Sequence, residues 1–553
     1  MAQPLRQLTI QAPAFFGVNT QDSPVGIDPN FATVAENAVI DKQGRIASRK
    51  GLSSLTNDAT KTVNTIFETV SVSGATQVFA TGDNKIYKGE SLTEVTLPTG
   101  YTITDNNWKI VSLQSNTYFY QRGHNPLVYT TGNVLVDITV GDGGSIAGDT
   151  TAPQANEVLS AFGRLWAADT STNKTTVFFS DTLRGHDENS WTPQSGAGPD
   201  GIAGNADDVP ANLAGSLDIS LNLPNGTDEI VALHAHNGFL IIFCKKNILI
   251  YGNPESPTSL QLTDTIEGVG CIARDSVQNI GTDVLFLSDT GVRSLGRTIQ
   301  EKSLPMRDVS KNIRNDLVRA VGQETQPIKS AYSPDEAFYL LTFPTNKTVF
   351  CFDIRQPLPD NAFRVTTWTE MEPLCFEVKR DKSLLIGKLG GVYKYTGFTD
   401  KSVVSGSYTS SSYQLRYFST PMNFGNSSNL KFLKKFKITV VGNNSSETVL
   451  NWGYDYTTSF NRQLIVNENT ESNEGIFNVS EFGQVGVDFT QDTSGNTVTG
   501  PSAEYSRGIE LQFPTVNGSG SGTTLTVGLE STINGTSYSI QQIDINVLLG
   551  RTI

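Results

Sequence analysis

The residues best suited to holding an ion lie between Pro199 and Asp208, where Asp200, Asn205, Asp207 and Asp208 alternate with glycine and small residues. Short side chains carrying hard oxygen donors, on a loop that turns tightly, suit Ca²⁺. The segment lacks the helix-loop-helix ligand pattern and any closing glutamate, so a weak Ca²⁺ site and a solvated acidic loop both fit it. No other cofactor is expected. His234-Ala235-His236 would place two imidazoles on one face of a strand, as a zinc site requires. The other histidines, His124 and His186, are distant in sequence, and ordinary strand histidines are the expectation. Lys431, Lys434, Lys435 and Lys437 form a tight basic cluster. It could meet an acidic partner or DNA phosphate, or serve as a charged strand edge that resists aggregation.

Covalent and nucleotide chemistry lacks its usual signatures. Gly143-Gly144-Ser145-Ile146-Ala147 misses the last glycine of a hydrolase nucleophile elbow. No Gly-Lys-Ser/Thr phosphate loop occurs. Gly268-Val269-Gly270-Cys271-Ile272-Ala273 imitates a dinucleotide fingerprint without the surrounding βαβ unit. Ser180-Asp181-Thr182 and Ser288-Asp289-Thr290-Gly291 resemble the Asp-box turns of sialidases, but the spacing to a Thr-Trp pair is wrong. Paired carboxylates for glycoside cleavage need a geometry that sequence does not supply, and 55 acidic residues guarantee chance neighbours. No catalytic residue is assigned, and the expectation is a protein that is not an enzyme.

The elements that would position these residues are strands. Charged residues make up only 17% of the chain, with 50 glycines and abundant Ser, Thr and Asn; that alphabet suits short strands and polar turns rather than helices. A pattern recurs of an apolar strand, a tight turn and a second strand ending in an aromatic. It runs Gln77–Ala80 to Lys85–Lys88, Tyr118–Tyr120 to Leu127–Tyr129, Arg164–Trp166 to Val177–Phe179, and Gly238–Phe243 to Asn247–Tyr251. It continues as Val284–Leu287 with Gly291-Val292 (ending at Leu295), Phe338–Leu341 with Val349–Phe352, and Leu384–Ile386 with Val392–Tyr395. A base period in the forties is the length of one four-stranded propeller blade. Two insertions lengthen it: the Gly/Asp-rich stretch 195–226, and 307–324, where Val309, Ile313, Leu317 and Val321 share one helical face.

The expected fold is all-β: a six- or seven-bladed β-propeller over 61–400, a C-terminal β-sandwich-like platform domain over 401–553, and an extended N-terminal arm over 1–60 that takes its order from a neighbour. A partial unit shared between the two ends could close the ring. In the last domain, Lys431–Val441, Glu447–Tyr456, Gly508–Phe513, Thr523–Leu529 and Tyr538–Leu549 read as long strands, the final one with alternating Ile543, Ile545 and Val547. Cys244, Cys271, Cys351 and Cys375 are too few for a disulfide framework and sit beside apolar residues, as reduced core thiols do. The first residues lack the apolar run of a signal peptide and no stretch reaches transmembrane length, so a cytosolic folding compartment is expected. The net charge of −14 argues against gripping nucleic acid through a broad basic face.

Several motifs resemble those of the tail nozzle proteins of short-tailed bacteriophages, also called tail tubular protein B or packaged-DNA stabilisation proteins. They are Phe16-Gly17-Val18-Asn19-Thr20, Asp22-Ser23-Pro24, Ala35-Glu36-Asn37-Ala38, Gly44-Arg45-Ile46 and Arg49-Lys50-Gly51-Leu52 in the arm. The centre adds Leu240–Phe243, Ile266–Ala273 and Val284–Val292, and the end adds Gln541–Ile545 with Gly550-Arg551. The resemblance implies a structural virion protein in the tail, made in the host cytoplasm. It implies a homohexamer below an adaptor ring joined to the portal, a docking place for tail fibres, and a nozzle that retains packaged DNA and conducts it during ejection without specific binding. In such a conduit Asp200, Asp207 and Asp208 are the channel or gate candidates, because carboxylates repel phosphate and glycines let a loop move. The alternative is a glycan-active or glycan-binding propeller, such as a sialidase-like tail enzyme.

Overall fold

The computed structural model describes residues 5–24, 26–193, 213–224, 226–301, 308–442, 448–457, 459–465, 473–476, 487–491, 506–512 and 520–552. The architecture is all-β and multi-domain: several small antiparallel sheets that resemble propeller blades, plus larger sheets packed in sandwich fashion. Asp200, Asn205, Asp207 and Asp208 lie outside the described residues.

The small sheets follow one another along the chain. Their first strands are Thr65–Val70, Lys109–Leu113, Ala155–Ala161, Ile230–His236, Gln278–Asn279 and Cys375–Val378; between the last two, Lys329–Ser333 opens a blade-like set of four strands that continues into a nine-stranded sheet. First strands lie side by side from Thr65–Val70 to Ile230–His236 and from Gln278–Asn279 to Cys375–Val378, which returns to lie beside Thr65–Val70. The recurring strand pairs of the sequence are the second and third strands of these sheets. Apolar residues fill the gaps between consecutive sheets. Phe79 and Ile86 of the first meet Phe119 and Leu127 of the second; Trp166 and Phe179 of the third meet Leu240 and Ile242 of the fourth. Each such side chain, once buried, contributes about 1.5–3 kcal/mol relative to exposure, so each sheet is held chiefly by its neighbours. The sheet that begins with Cys375–Val378 takes its fourth strand from the other end of the chain: Leu52–Ser54 pairs antiparallel with Gly391–Tyr395, Leu52 opposite Tyr395.

Leu295 departs from the expected pattern. It begins a helix, Leu295–Glu301, and its sheet has three strands, Gln278–Asn279, Val284–Ser288 and Gly291–Ser294. Leu295 is buried against Val284 and Phe286, so its apolar character serves a helix-to-sheet contact rather than a strand. The 307–324 insertion is helical over Arg314–Gln323, after a single turn at Lys311–Ile313. Val309, Ile313 and Leu317 are buried in the large core, which is why the apolar face recurs every four residues. Among the described residues no helix is long and apolar enough to cross a membrane. The four cysteines are buried and unpaired.

The larger sheets pack two faces around one core. Tyr538–Thr552 pairs with Asn429–Gly442 on one side and with Leu5–Gln11 and Ile46–Ser48 on the other. A nine-stranded sheet runs from Lys329–Ser333 through Arg364–Trp368 to Ala32–Glu36, then Tyr413–Ser419, Leu525–Ile533, Thr448–Tyr454 and Asn461–Ile465. Ile543, Ile545 and Val547 of the first sheet and Leu415, Leu450, Val527 and Leu529 of the second are buried in the same core. Strands within residues 5–54 join both larger sheets and one blade-like sheet of their own chain.

Candidate functional site: an axial charge cluster

Where the first strands converge, charged side chains interrupt an otherwise apolar set. Asp275 is at the centre, joined to Lys329 by an isolated parallel bridge. Its carboxylate receives Lys329 Nζ at 2.6 Å, Arg274 Nη2 at 2.8 Å and Lys109 Nζ at 3.1 Å. Asn107 Oδ1 accepts from both Arg274 Nη2 (2.9 Å) and Lys329 Nζ (3.0 Å). Arg274 Nη1 donates to Asn156 Oδ1 at 3.0 Å, and Asn156 Nδ2 donates onward to Asp169 Oδ2 at 2.9 Å. Asp169 also meets Lys174 at 2.7 Å and Arg122. One network thus crosses the second, third, fifth and sixth blade-like sheets, with cations and carboxylates in alternation, the arrangement that lets buried charges survive desolvation.

The surroundings set each group's protonation. Burial works against the Asp275 carboxylate, but Arg274, Lys329 and Lys109 outweigh it and hold its pKa well below the usual range. Glu157 is only 1% exposed, and burial pushes it up to about 7 despite Lys109 and Arg274 nearby. Burial raises Glu377 to about 8, against the backbone N–H of Glu68, which donates to it at 3.0 Å. His234 is pushed down to about 4 by burial, with Lys109 and His236 adding to the effect. It is therefore neutral at pH 7.

Two cavities flank the network, and Arg274 and Asp275 line both. One, of about 250 Å³, runs among the first strands and includes Glu157, His234, Lys329 and Glu377 in its wall. The other, of about 760 Å³, opens where the loops between strands gather and is bordered by Arg122, Asp169, Glu229, Lys245 and the helix Arg314–Gln323.

The sequence candidates fall elsewhere or apart. His234 lines the smaller cavity, whereas His124 bonds Thr104 and His186 bonds Tyr118. Among the described residues no group of three or more His, Cys, Asp and Glu side chains is placed to hold a metal. The basic cluster does not form one surface. Lys431 is buried, donating to the carbonyls of Asn429 (2.8 Å) and Asn426, and burial lowers its pKa. Register shifts between Asn429 and Lys431 and between Leu433 and Lys435 turn it inward. Lys434, Lys435 and Lys437 are half-buried along the same strand, Lys437 opposite Asp544. Gly268 to Ala273 is a turn between sheets, with Cys271 N–H donating to Cys244 O at 2.9 Å. Of the two Asp-box-like turns, Asp289 borders the larger cavity, and Asp181 accepts from Leu213 N–H at 3.1 Å.

No family model and no curated protein matches the chain. Among solved structures it is similar to a streptogramin B lyase structure, at 14% identity over 63% of this chain and 96% of that one, with a TM-score of 0.32. It is similar to YCF48 bound to D1 peptide at 9% identity, covering 65% and 97%, TM-score 0.31. It is also similar to the Neurospora crassa Pan2 WD40 domain at 10% identity, covering 67% and 98%, TM-score 0.30.

Proposed function

We propose that this chain is a structural subunit of a short bacteriophage tail, a seven-bladed β-propeller strapped to a sandwich platform. The observation that carries the reading is where the nozzle-like motifs fall. The arm motifs Phe16–Thr20, Ala35–Ala38 and Arg49–Leu52 fall at joints between the arm, the blade-like sheets and the larger sheets, while Leu240–Phe243 and Val284–Val292 lie within blade-like sheets. At Gly17 an added Cβ would stand 2.5 Å from Val365 O, and at Gly51 2.2 Å from Thr399 O, so only glycine lets these backbones approach. Asn37 Nδ2 donates to Gln414 O at 2.9 Å, while its Oδ1 accepts from Arg49 Nε (2.9 Å) and from the backbone N–H of Thr369 (3.0 Å). Arg49 in turn meets Asp400 at 2.6 Å. Motifs spent on joints, with none spent on a nucleophile, fit a part that bears load.

On this reading six copies form a ring below an adaptor ring and the portal, and double-stranded DNA passes through without specific binding. Each copy brings a net charge of −14. Carboxylates on a channel wall repel phosphate over about 8–10 Å at physiological salt, so the genome is not held by adhesion. The chain performs no hydrolysis. Negative-stain images of the purified protein, or of particles carrying it, test the reading: six-fold rings are expected, and a monomer absent from the particles would defeat it.

A second reading, a glycan-binding propeller, is favoured by the cavity of about 760 Å³ at the loop end of the blades. Its rim places Arg122 and Lys245 beside Asp169 and Glu229, a mixture of donors and acceptors suited to a polar ligand. A glycan array separates the two readings. Binding lost on Arg122→Ala would favour this one, and an empty array the first.

A further inference from the structure

The smaller cavity contains hydrogen-bonding capacity that the protein itself leaves unused. Glu157 is 1% exposed and lines the cavity; its Oε1 accepts from Leu233 N–H at 3.2 Å, but Oε2 has no hydrogen-bond partner. The nearest cations stand off, Lys109 Nζ at 3.5 Å and Arg274 Nε at 3.9 Å, beyond the roughly 2.7–2.9 Å of a charge-assisted hydrogen bond. His234 Nε2 lines the same cavity, also without a partner. Lys329 and Arg274, by contrast, are occupied by Asp275 and Asn107. A buried carboxylate oxygen without a hydrogen bond is costly, so Glu157 Oε2 favours an O–H or N–H donor in this cavity.

The cations Lys109, Arg274 and Lys329 stand in the same wall and disfavour a cationic donor, which leaves a neutral O–H or N–H group to meet Glu157 Oε2. The remaining wall includes Ile66, Ile110, Val158, Leu159, Leu233 and Val277, which suit C–H faces. The volume, about 250 Å³, equals that of about eight waters at roughly 30 Å³ each. We propose that this axial cavity binds a small neutral polyol of monosaccharide size, its hydroxyls donating to Glu157 Oε2 and reaching His234 Nε2.

This inference is independent of ring formation and concerns a different cavity from that of the glycan reading. The full chain is titrated with glucose, galactose, N-acetylglucosamine and myo-inositol, followed by saturation-transfer NMR and calorimetry. One probe is expected to bind saturably at one site per chain. Glu157→Gln, which keeps the side chain's shape, is expected to weaken it at least about tenfold, as is His234→Ala; both variants are checked for folding by circular dichroism. Lys85→Ala, on an exposed hairpin outside both cavities, is expected to leave binding unchanged. No saturable binding by any probe, binding that survives both cavity substitutions, or a soaked crystal holding ordered water only would each overturn the proposal.

Discussion

Asp400 grips Arg49 through both oxygens, Nη1 to Oδ1 at 2.8 Å and Nη2 to Oδ2 at 2.6 Å, with Arg49 wholly buried. The pair joins the arm to the segment that follows the last blade-like sheet, and the guanidinium also lies 4.0 Å from the centre of the Tyr413 ring. Removing one partner leaves the other charged and dry, which costs about 3–5 kcal/mol. Arg49→Ala and Asp400→Ala are each expected to lower the unfolding free energy measured by urea titration by that order. The double variant is expected to lose much less than the sum of the two. Additive losses would show that the pair is not coupled.

The arm's strands are paired within the chain, and this changes what proteolysis should reveal. Ile10, Phe15, Ala35, Ile40 and Ile46 are buried in the large core, so opening the arm exposes that core. Limited proteolysis of the isolated chain is expected to leave residues 10–54 uncut until the larger sheets unfold. Rapid cleavage between Gln11 and Ser54 under native conditions would refute the pairing.

How far the sequence foretold this follows from the range of each signal. The alternation of Ile543, Ile545 and Val547 marks one buried face because side chains alternate along a strand. The blade-like strand pairs were legible for the same reason, since each is a local hairpin. Pairing at long range was not. Ala32–Glu36 lies between Arg364–Trp368 and Tyr413–Ser419, and nothing in its five residues names partners more than three hundred positions away. The axial cluster was missed because Lys109, Glu157, Asp275 and Lys329 come from four separate sheets or their connecting turns and share no motif. A weak trace existed: Lys109 and Glu157 are charged residues set in strands that are otherwise uncharged and largely apolar. Lys431 was misplaced because a bulge, which sequence does not announce, changed its face.

Two glycines of the central motif separate close approach from backbone strain. At Gly270 a Cβ would stand 2.3 Å from Cys244 O and from the Lys245 backbone, whereas at Gly268, with φ +73, nothing lies within 4 Å. Gly268→Ala is expected to cost about 1 kcal/mol, the left-handed penalty alone. Gly270→Ala must displace backbone as well and is expected to cost more than about 2 kcal/mol. Thermal melts of the two variants measure the difference, and equal losses would show that the turn adapts.

The axial carboxyls give stability a definite slope with pH. Burial raises Glu157 to about 7 and Glu377 to about 8, against about 4.3 in an unfolded chain. Between these values the unfolded chain has released protons that the folded one keeps, so stability falls as pH rises. Their contribution is complete below about pH 4.3 and is lost as pH passes through about 7 and then 8. His234 acts oppositely. Its pKa of about 4 means that its contribution is complete above about pH 6.5 and is lost as pH falls toward 4. Between about pH 6.5 and 8 the glutamates dominate the slope, because the four buried thiols, also raised by burial, add theirs only as pH nears the ordinary thiol value of about 8.5. Urea midpoints between pH 6.5 and 8 are expected to fall for the native chain and to fall less for Glu377→Gln, which cannot ionise. If Glu377→Gln keeps the full slope, Glu377 ionises near its ordinary value and the cavity around it is open to water.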